Sequence, residues 1–231
     1  MEDPVGEKSL EVMSEAKWYN LLIYNRFVKP NLGKKVLEIG SGIGNFTEIL
    51  LKDSKLLLAT DIRKSYLSTL RKIKNKKLKV AFADIEDNIF KPKYTGFDTI
   101  ICLNVLEHIK NDQRALNNMY KKLNKNGKLV MLVPAHQQFY CLLDKNLGHF
   151  RRYTKNLLRN KIKKAGFKIV SEDYLNPISG IGWFINGKIL RKGVIDTKLI
   201  KIFNLLLKPI IKLEKYFRPS FGLSVVIVAQ K

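Results

Sequence analysis

Apolar residues along this chain fall into two spacings. The segments "KVLEI" (35–39), "KLLLAT" (55–60), "LKVAFAD" (78–84), "FDTIICL" (97–103) and "KLVMLV" (128–133) are short and almost continuously apolar, as strands buried on both faces are. The segments between them carry helical spacing. "NFTEILLK" (45–52) predicts a helix, with Asn45 as its cap and Glu48 completing a capping box. "RKSYLSTLRKIK" (63–74) predicts a basic amphipathic helix. "DQRALNNMYKKL" (112–123) places apolar side chains at 115, 116, 119, 120 and 123, on one helical face. Lys125-Asn126-Gly127 makes the turn into the fifth strand, which Pro134 ends. "TKNLLRNKIKKAGF" (154–167) predicts a helix capped by Thr154 and stopped by Gly166. "FKIVSEDY" (167–174) reads as a sixth strand and "LSVVIVAQ" (223–230) as a terminal one. This order implies an α/β protein with a parallel sheet covered by helices on both faces.

With 231 residues, 45% of them apolar, the chain can build one large core, and no linker or repeat divides it. We expect a single domain over 1–231. It comprises an N-terminal helical segment (1–34), a core (35–133), insertions at 134–166 and 176–220, and the last strand (221–231). No uncharged apolar run reaches the roughly 18 residues of a membrane span. The polar, acidic start "MEDPVGEKSLEVMSEAK" has neither the basic nor the apolar region of a signal peptide. Cys102 and Cys141 lie in apolar settings outside any CxxC pair, so a reduced cytoplasmic protein without disulfides is expected.

The net charge of +23 reflects either a Lys-rich composition or an acidic partner, nucleic acid or an anionic membrane surface. Residues 63–79 and 145–168 contain no acidic residue. Between 197 and 217, Lys198, Lys201, Lys208, Lys212 and Lys215 fall in a helical stripe about 100° wide. That pattern suits an interfacial helix at the inner membrane face, although Pro209 would kink it; the alternative is a helix pair packed on the core.

Candidate chemistry centres on "VLEIGSGIGNFT" (36–47). Gly40, Gly42 and Gly44 lie between a strand and a helix start, where backbone and ligand can approach closely. The spacing is GxGxG, one residue tighter than the dinucleotide fingerprint, and Glu38 would repel a pyrophosphate but could accept from a ligand ammonium. Asp61, 21 residues beyond Gly40, suits the two hydroxyls of a ribose. Asp84 could accept from an adenine amino group, with Ile85 against the ring.

This constellation resembles the class I S-adenosylmethionine (SAM)-dependent methyltransferases. The resemblance implies a Rossmann-like, seven-stranded, mostly parallel sheet with an antiparallel last strand and helical insertions after strand 5 and between strands 6 and 7. It implies SAM as cofactor, S-adenosylhomocysteine as product, and cofactor contacts from Glu38, Gly40, Gly42, Gly44, Asp61, Ile62, Asp84 and Ile85. "FDTIICLNVLEHIKND" is similar to the same segment in the group that includes ubiquinone-pathway enzymes. Leu103 and Asn104 would then flank the adenosyl group, with Glu107 and His108 near the methyl donor. "VPAHQQFYCLLDKNLGHFRRYT", "GWFINGKILRK" and "FGLSVVIVAQK" resemble a bacterial and archaeal subgroup associated with surface-glycan and lipid-linked sugar pathways. The departure is Lys125-Asn126-Gly127, where such proteins often carry Pro-Gly-Gly.

Methyl transfer from a sulfonium chiefly needs alignment; a base helps only where the acceptor carries a proton. His108, His136 and His149 are the histidines available. His108 and His149 are the catalytic candidates, the other reading of His108 being a histidine that holds a loop. The run "GHFRRYT" offers Arg151, Arg152 and Tyr153 to a substrate, and "GWFING" offers Trp183. Arg forks phosphate bidentately, which suits a lipid-diphosphate sugar; the alternative is an ion pair with Asp144 or Glu172. No HxxxH, CxxC or tight acidic cluster points to a metal.

The expected function is in-line methyl transfer to an oxygen of a small-molecule or lipid-linked glycan acceptor. The alternatives are an RNA ribose methyltransferase and a non-catalytic SAM-binding adaptor. Base-amino methylation is disfavoured, because Asn104-Val105-Leu106-Glu107 stands where its Pro-Pro clamp would be. Cytosine-C5 chemistry is disfavoured because Cys102 lies inside a buried strand.

Overall fold

The computed structural model describes residues 6–7, 10–11, 14, 16–87, 95–177 and 219–231. Seven strands form one sheet: β1 (Lys35–Ile39), β2 (Leu56–Asp61), β3 (Leu78–Phe82), β4 (Phe97–Leu103), β5 (Leu123–Pro134), β6 (Lys168–Leu175) and β7 (Ser224–Gln230). Their order across the sheet is β3-β2-β1-β4-β5-β7-β6. The first five strands pair in parallel, and β7 runs antiparallel between β5 and β6.

Alternate residues of one strand serve opposite cores, so the strand runs read as continuously apolar. Leu37, Ile100, Leu129 and Met131 pack with Leu116 and Met119 of α4 (Asp112–Lys122) and Leu158 and Ile162 of α6 (Lys155–Lys164). On the other face, Val36, Ile101, Val130 and Leu132 pack with Ile23 of α1 (Lys17–Ile23) and Leu50 and Leu51 of α2 (Thr47–Asp53). The chain leaves β1 in one direction and reaches β4 on its other side. Such a switch point opens a crevice at the carboxyl ends of the central strands.

Local signals held where their partners are local. The Thr154 hydroxyl accepts the Leu157 N–H at 3.2 Å to cap α6, and Gly166 takes φ +102° beyond its end. Asn45 does not cap α2, which starts at Thr47 after Phe46. Its Nδ2 donates instead to the Leu10 carbonyl at 2.8 Å, tying the N-terminal segment to the turn. The basic helix α3 spans only Lys64–Leu70. The Lys125–Gly127 turn lies within the bounds of β5, where the register with β4 jumps from Phe97↔Leu123 to Thr99↔Lys128.

After β5 the chain makes α5 (Leu142–Asn146) and returns so that Tyr153 bridges Ala135. Trp183 and the Lys-striped segment 197–217 lie outside the described residues. Among the described residues, no helix is long and apolar enough to cross a membrane.

Candidate active site

The Gly-rich turn sits at the end of β1 with Gly40, Gly42 and Gly44 at φ +69°, +54° and +100°. Gly40 is required twice over, by that conformation and because a Cβ there would overlap the Val105 side chain. A Cβ at Gly42 would press on Leu10, which covers the turn. Asp61 closes β2, and its carboxylate staples the turn: Oδ2 accepts the Gly42 N–H at 3.0 Å and Oδ1 the Arg63 N–H at 2.9 Å. Each oxygen keeps a second lone pair for a ligand hydroxyl.

Glu38 is buried beneath the turn, and its Oε2 accepts the Thr47 hydroxyl at 2.6 Å. Burial pushes its carboxyl up to about 7; the Thr47 hydrogen bond works against that shift and the Asp61 charge adds to it. Ile62 follows Asp61 and is 56% exposed, an apolar face set at the crevice. Asp84 is exposed and its Oδ1 accepts the Glu86 N–H at 2.8 Å. The Ile85 side chain packs with the core at 4% exposure, and Asn118 donates to its carbonyl at 2.8 Å. Leu103 is partly buried against the core, and Asn104 is exposed at φ +53° with its N–H on the Leu132 carbonyl.

A 3-10 turn, Leu106–His108, follows β4 and brings His108 edge-on to His149, with ring centroids 4.5 Å apart. His149 Nδ1 lies 2.8 Å from Asp144 Oδ1. Burial, His149 and Arg63 push His108 down to about 3, so it is a poor proton acceptor and the sequence reading of it as a base is not supported. His136 lies apart from this pair, stacked on Tyr174 and Phe221.

The two arginines point different ways, as neighbours in an extended segment do. Arg152 is 2% exposed and forks the buried Asp144, with Nε to Oδ1 at 2.8 Å and Nη2 to Oδ2 at 3.0 Å; its Nη1 donates to the Ala135 carbonyl. Tyr153 is fully buried and donates to Asp112 Oδ2 at 3.0 Å. Both residues therefore brace the site from inside, which corrects their reading as substrate contacts. A buried guanidinium needs a carboxylate, and Asp144 supplies it. Arg151 is partly exposed, paired to Asp112 at 3.0 Å and to the Lys110 carbonyl at 2.9 Å. Glu172, the other partner considered, pairs with Arg159.

Sequence reasoning gave no role to Leu10, Thr47 or Val105. Leu10 and Val105 act on residues distant in sequence, and Thr47 reaches Glu38 across the Gly-rich turn itself.

The class of protein follows from this arrangement: a Rossmann-like sheet with a Gly-rich turn at its switch point. Glu38 and Asp61 make that edge acidic, which suits a cationic nucleoside ligand with a free ribose and not a pyrophosphate. Comparison with known proteins agrees. The methyltransferase-domain family model matches residues 17–172. An uncharacterized protein of Methanocaldococcus jannaschii is 32% identical over 173 residues, 73% of this chain and 72% of its own. A ubiquinone biosynthesis O-methyltransferase of Coxiella burnetii is 28% identical over 98 residues; the match spans 42% of either chain.

Among solved structures, a SAM-dependent methyltransferase of Archaeoglobus fulgidus superposes with a TM-score of 0.63 at 16% identity, over 94% of both chains. An N-methyltransferase of Bradyrhizobium japonicum in complex with S-adenosyl-L-homocysteine superposes with a TM-score of 0.61 at 16% identity, over 94% of this chain and 87% of its own. This chain belongs to the methyltransferase-domain family and is a class I SAM-dependent methyltransferase.

Proposed function

We propose that the chain methylates an oxygen of a small-molecule or lipid-linked glycan acceptor, in the cytoplasm and at the inner membrane face. The observation that carries this reading is His149, whose Nδ1 is held 2.8 Å from the buried Asp144. With Nδ1–H donated to a carboxylate, Nε2 is left to take a proton, the same logic by which an aspartate orients a catalytic histidine. Only an acceptor that carries a proton, such as a hydroxyl, needs that group.

The bound cofactor supplies a methyl group on an already activated sulfonium. The protein's part is to hold and align. The Gly40–Gly44 turn and Asp61 would fix the adenosyl portion, with Ile62 and Asp84 beside the base. Glu38 would face the ammonium end. His149 Nε2 would receive the hydroxyl proton as the new carbon–oxygen bond forms. Alignment of this kind can lower a barrier by several kcal/mol, up to about 7–11. The name of the Coxiella relative, an O-methyltransferase, supports the choice of oxygen.

The test is incubation of the protein with methyl-labelled SAM and a fractionated extract of the source cell. Label in lipid or small solutes is expected. Label in RNA would overturn the acceptor assignment and favour ribose methylation. SAM binding without any turnover would identify an adaptor.

A further inference from the structure

We propose that Glu107, His108 and His149 form a binding site for one divalent transition-metal ion. One ligand atom from each lies within 4.8 Å of the others. Donors on a tetrahedral ion stand about 3.3 Å apart, so closing the trio asks for shifts under about 1 Å at each atom. Two imidazoles and one carboxylate are the donor set of open zinc and ferrous sites, which keep a position for water or substrate.

The strongest indication is Glu107. Its side chain is completely buried, and neither carboxylate oxygen has a hydrogen-bond partner on another residue. An unsatisfied buried carboxylate is costly, and a bound cation would satisfy it. The ionisable groups around it are His149, Arg152 and Asp144. Arg152 is already forked to Asp144 and bonded to the Ala135 carbonyl, and Asp144 accepts from His149 as well.

The outer contacts of both histidines also suit ligands. A metal-bound imidazole usually donates its second N–H to a carboxylate or carbonyl, which fixes its tautomer and aim. His149 has Asp144 in that place, and His108 has the Leu147 carbonyl. Asp144 is itself locked by Arg152 and by the Cys141 N–H at 3.0 Å. Local spacing could not reveal the trio, because His149 comes from the loop after β5 and the other two from the turn after β4.

The ion's role rests on the oxygen-acceptor reading, but it replaces the base proposed there: with Nδ1 on Asp144, a metal would occupy His149 Nε2, and the open position would hold the acceptor oxygen and make its proton more acidic without a histidine to receive it. The ion's binding does not depend on that reading. The experiment therefore uses the metal alone. Chelator-stripped protein is titrated with Co2+ and followed by visible absorption and calorimetry, and the Zn2+-loaded protein is examined by X-ray absorption. We expect one saturable equivalent, visible bands of a four- or five-coordinate ion, and a first shell with two imidazoles and no sulfur. Affinity should fall at least a hundredfold in His149→Ala and in Glu107→Gln, and stay unchanged in His136→Ala. Absence of saturable binding to the wild-type chain would overturn the site, as would sulfur ligation or binding indifferent to both replacements. The wild-type measurements stand even if a variant misfolds. Label found on RNA in the extract experiment would leave the metal result intact.

Discussion

Asp61 holds two backbone amides, those of Gly42 and Arg63, while presenting its remaining lone pairs at the crevice. Its replacement should therefore loosen the turn and leave ribose hydroxyls unpaired together. We expect Asp61→Ala to weaken SAM binding well over tenfold by calorimetry; unchanged affinity would remove Asp61 from the cofactor site. Glu38 gives a pH signature. Its folded pKa of about 7 stands above the ordinary value of 4.5, so the native state holds its proton more tightly than the unfolded chain. Its contribution to stability is complete below about 4.5 and is lost as pH rises through about 7. Glu107 shifts the same way. The difference in melting temperature between wild type and Glu38→Gln isolates the Glu38 part, and that difference should move in the variant's favour between pH 5 and pH 8. An ammonium beside ionised Glu38 reverses the sense for the ligand: SAM affinity should increase over the same range, and the increase should flatten in Glu38→Gln.

At the scale of elements, what could be read from sequence depended on how far a residue's partner lies along the chain. Thr154 and Gly166 act within a turn of their own helix, and both were legible. Asn45 carries a cap signature, yet its side chain serves Leu10, 35 residues away. Ile85 follows Asp84 in an exposed-looking turn, yet its side chain packs with the core and Asn118 of α4, 33 residues on, donates to its carbonyl. The loop after β5 shows the same limit. Its Arg-Arg pair reads either as an anion site or as an ion pair with Asp144 or Glu172, and only the packing of the short helix α5 settles that Asp144 fills the Arg152 fork. The two arginines should thus differ sharply in denaturant melts. Arg152→Leu strands a buried carboxylate and should cost about 3–5 kcal/mol. Arg151→Ala should cost under about 1 kcal/mol, because Asp112 keeps both Lys161, at 2.9 Å, and Tyr153. Equal losses would mean that the Asp144 network does not hold the loop.

For the whole molecule, the sheet and the Gly-rich turn at its switch point were readable because strand periodicity and glycine spacing repeat a physical requirement, whereas the meaning of a charge of +23 was not. Part of that charge has a structural use. Lys79 lies on the edge strand β3, with Arg71, Lys72, Lys74 and Lys76 exposed just before it, and charge along a sheet edge discourages pairing with other chains. The lysines between 197 and 217 belong to a different argument, since their stripe suits an anionic surface worth about 1 kcal/mol for each charge near it. Two five-fold replacements of equal charge separate the uses. Changing Lys198, Lys201, Lys208, Lys212 and Lys215 to Gln should weaken binding to phosphatidylglycerol vesicles by several orders of magnitude in co-sedimentation. Changing Arg71, Lys72, Lys74, Lys76 and Lys79 to Gln should weaken it far less and instead increase self-association. Equal losses from the two sets would reduce the interaction to net charge alone, and the segment 197–217 would then have no special part in bringing the enzyme to its acceptor.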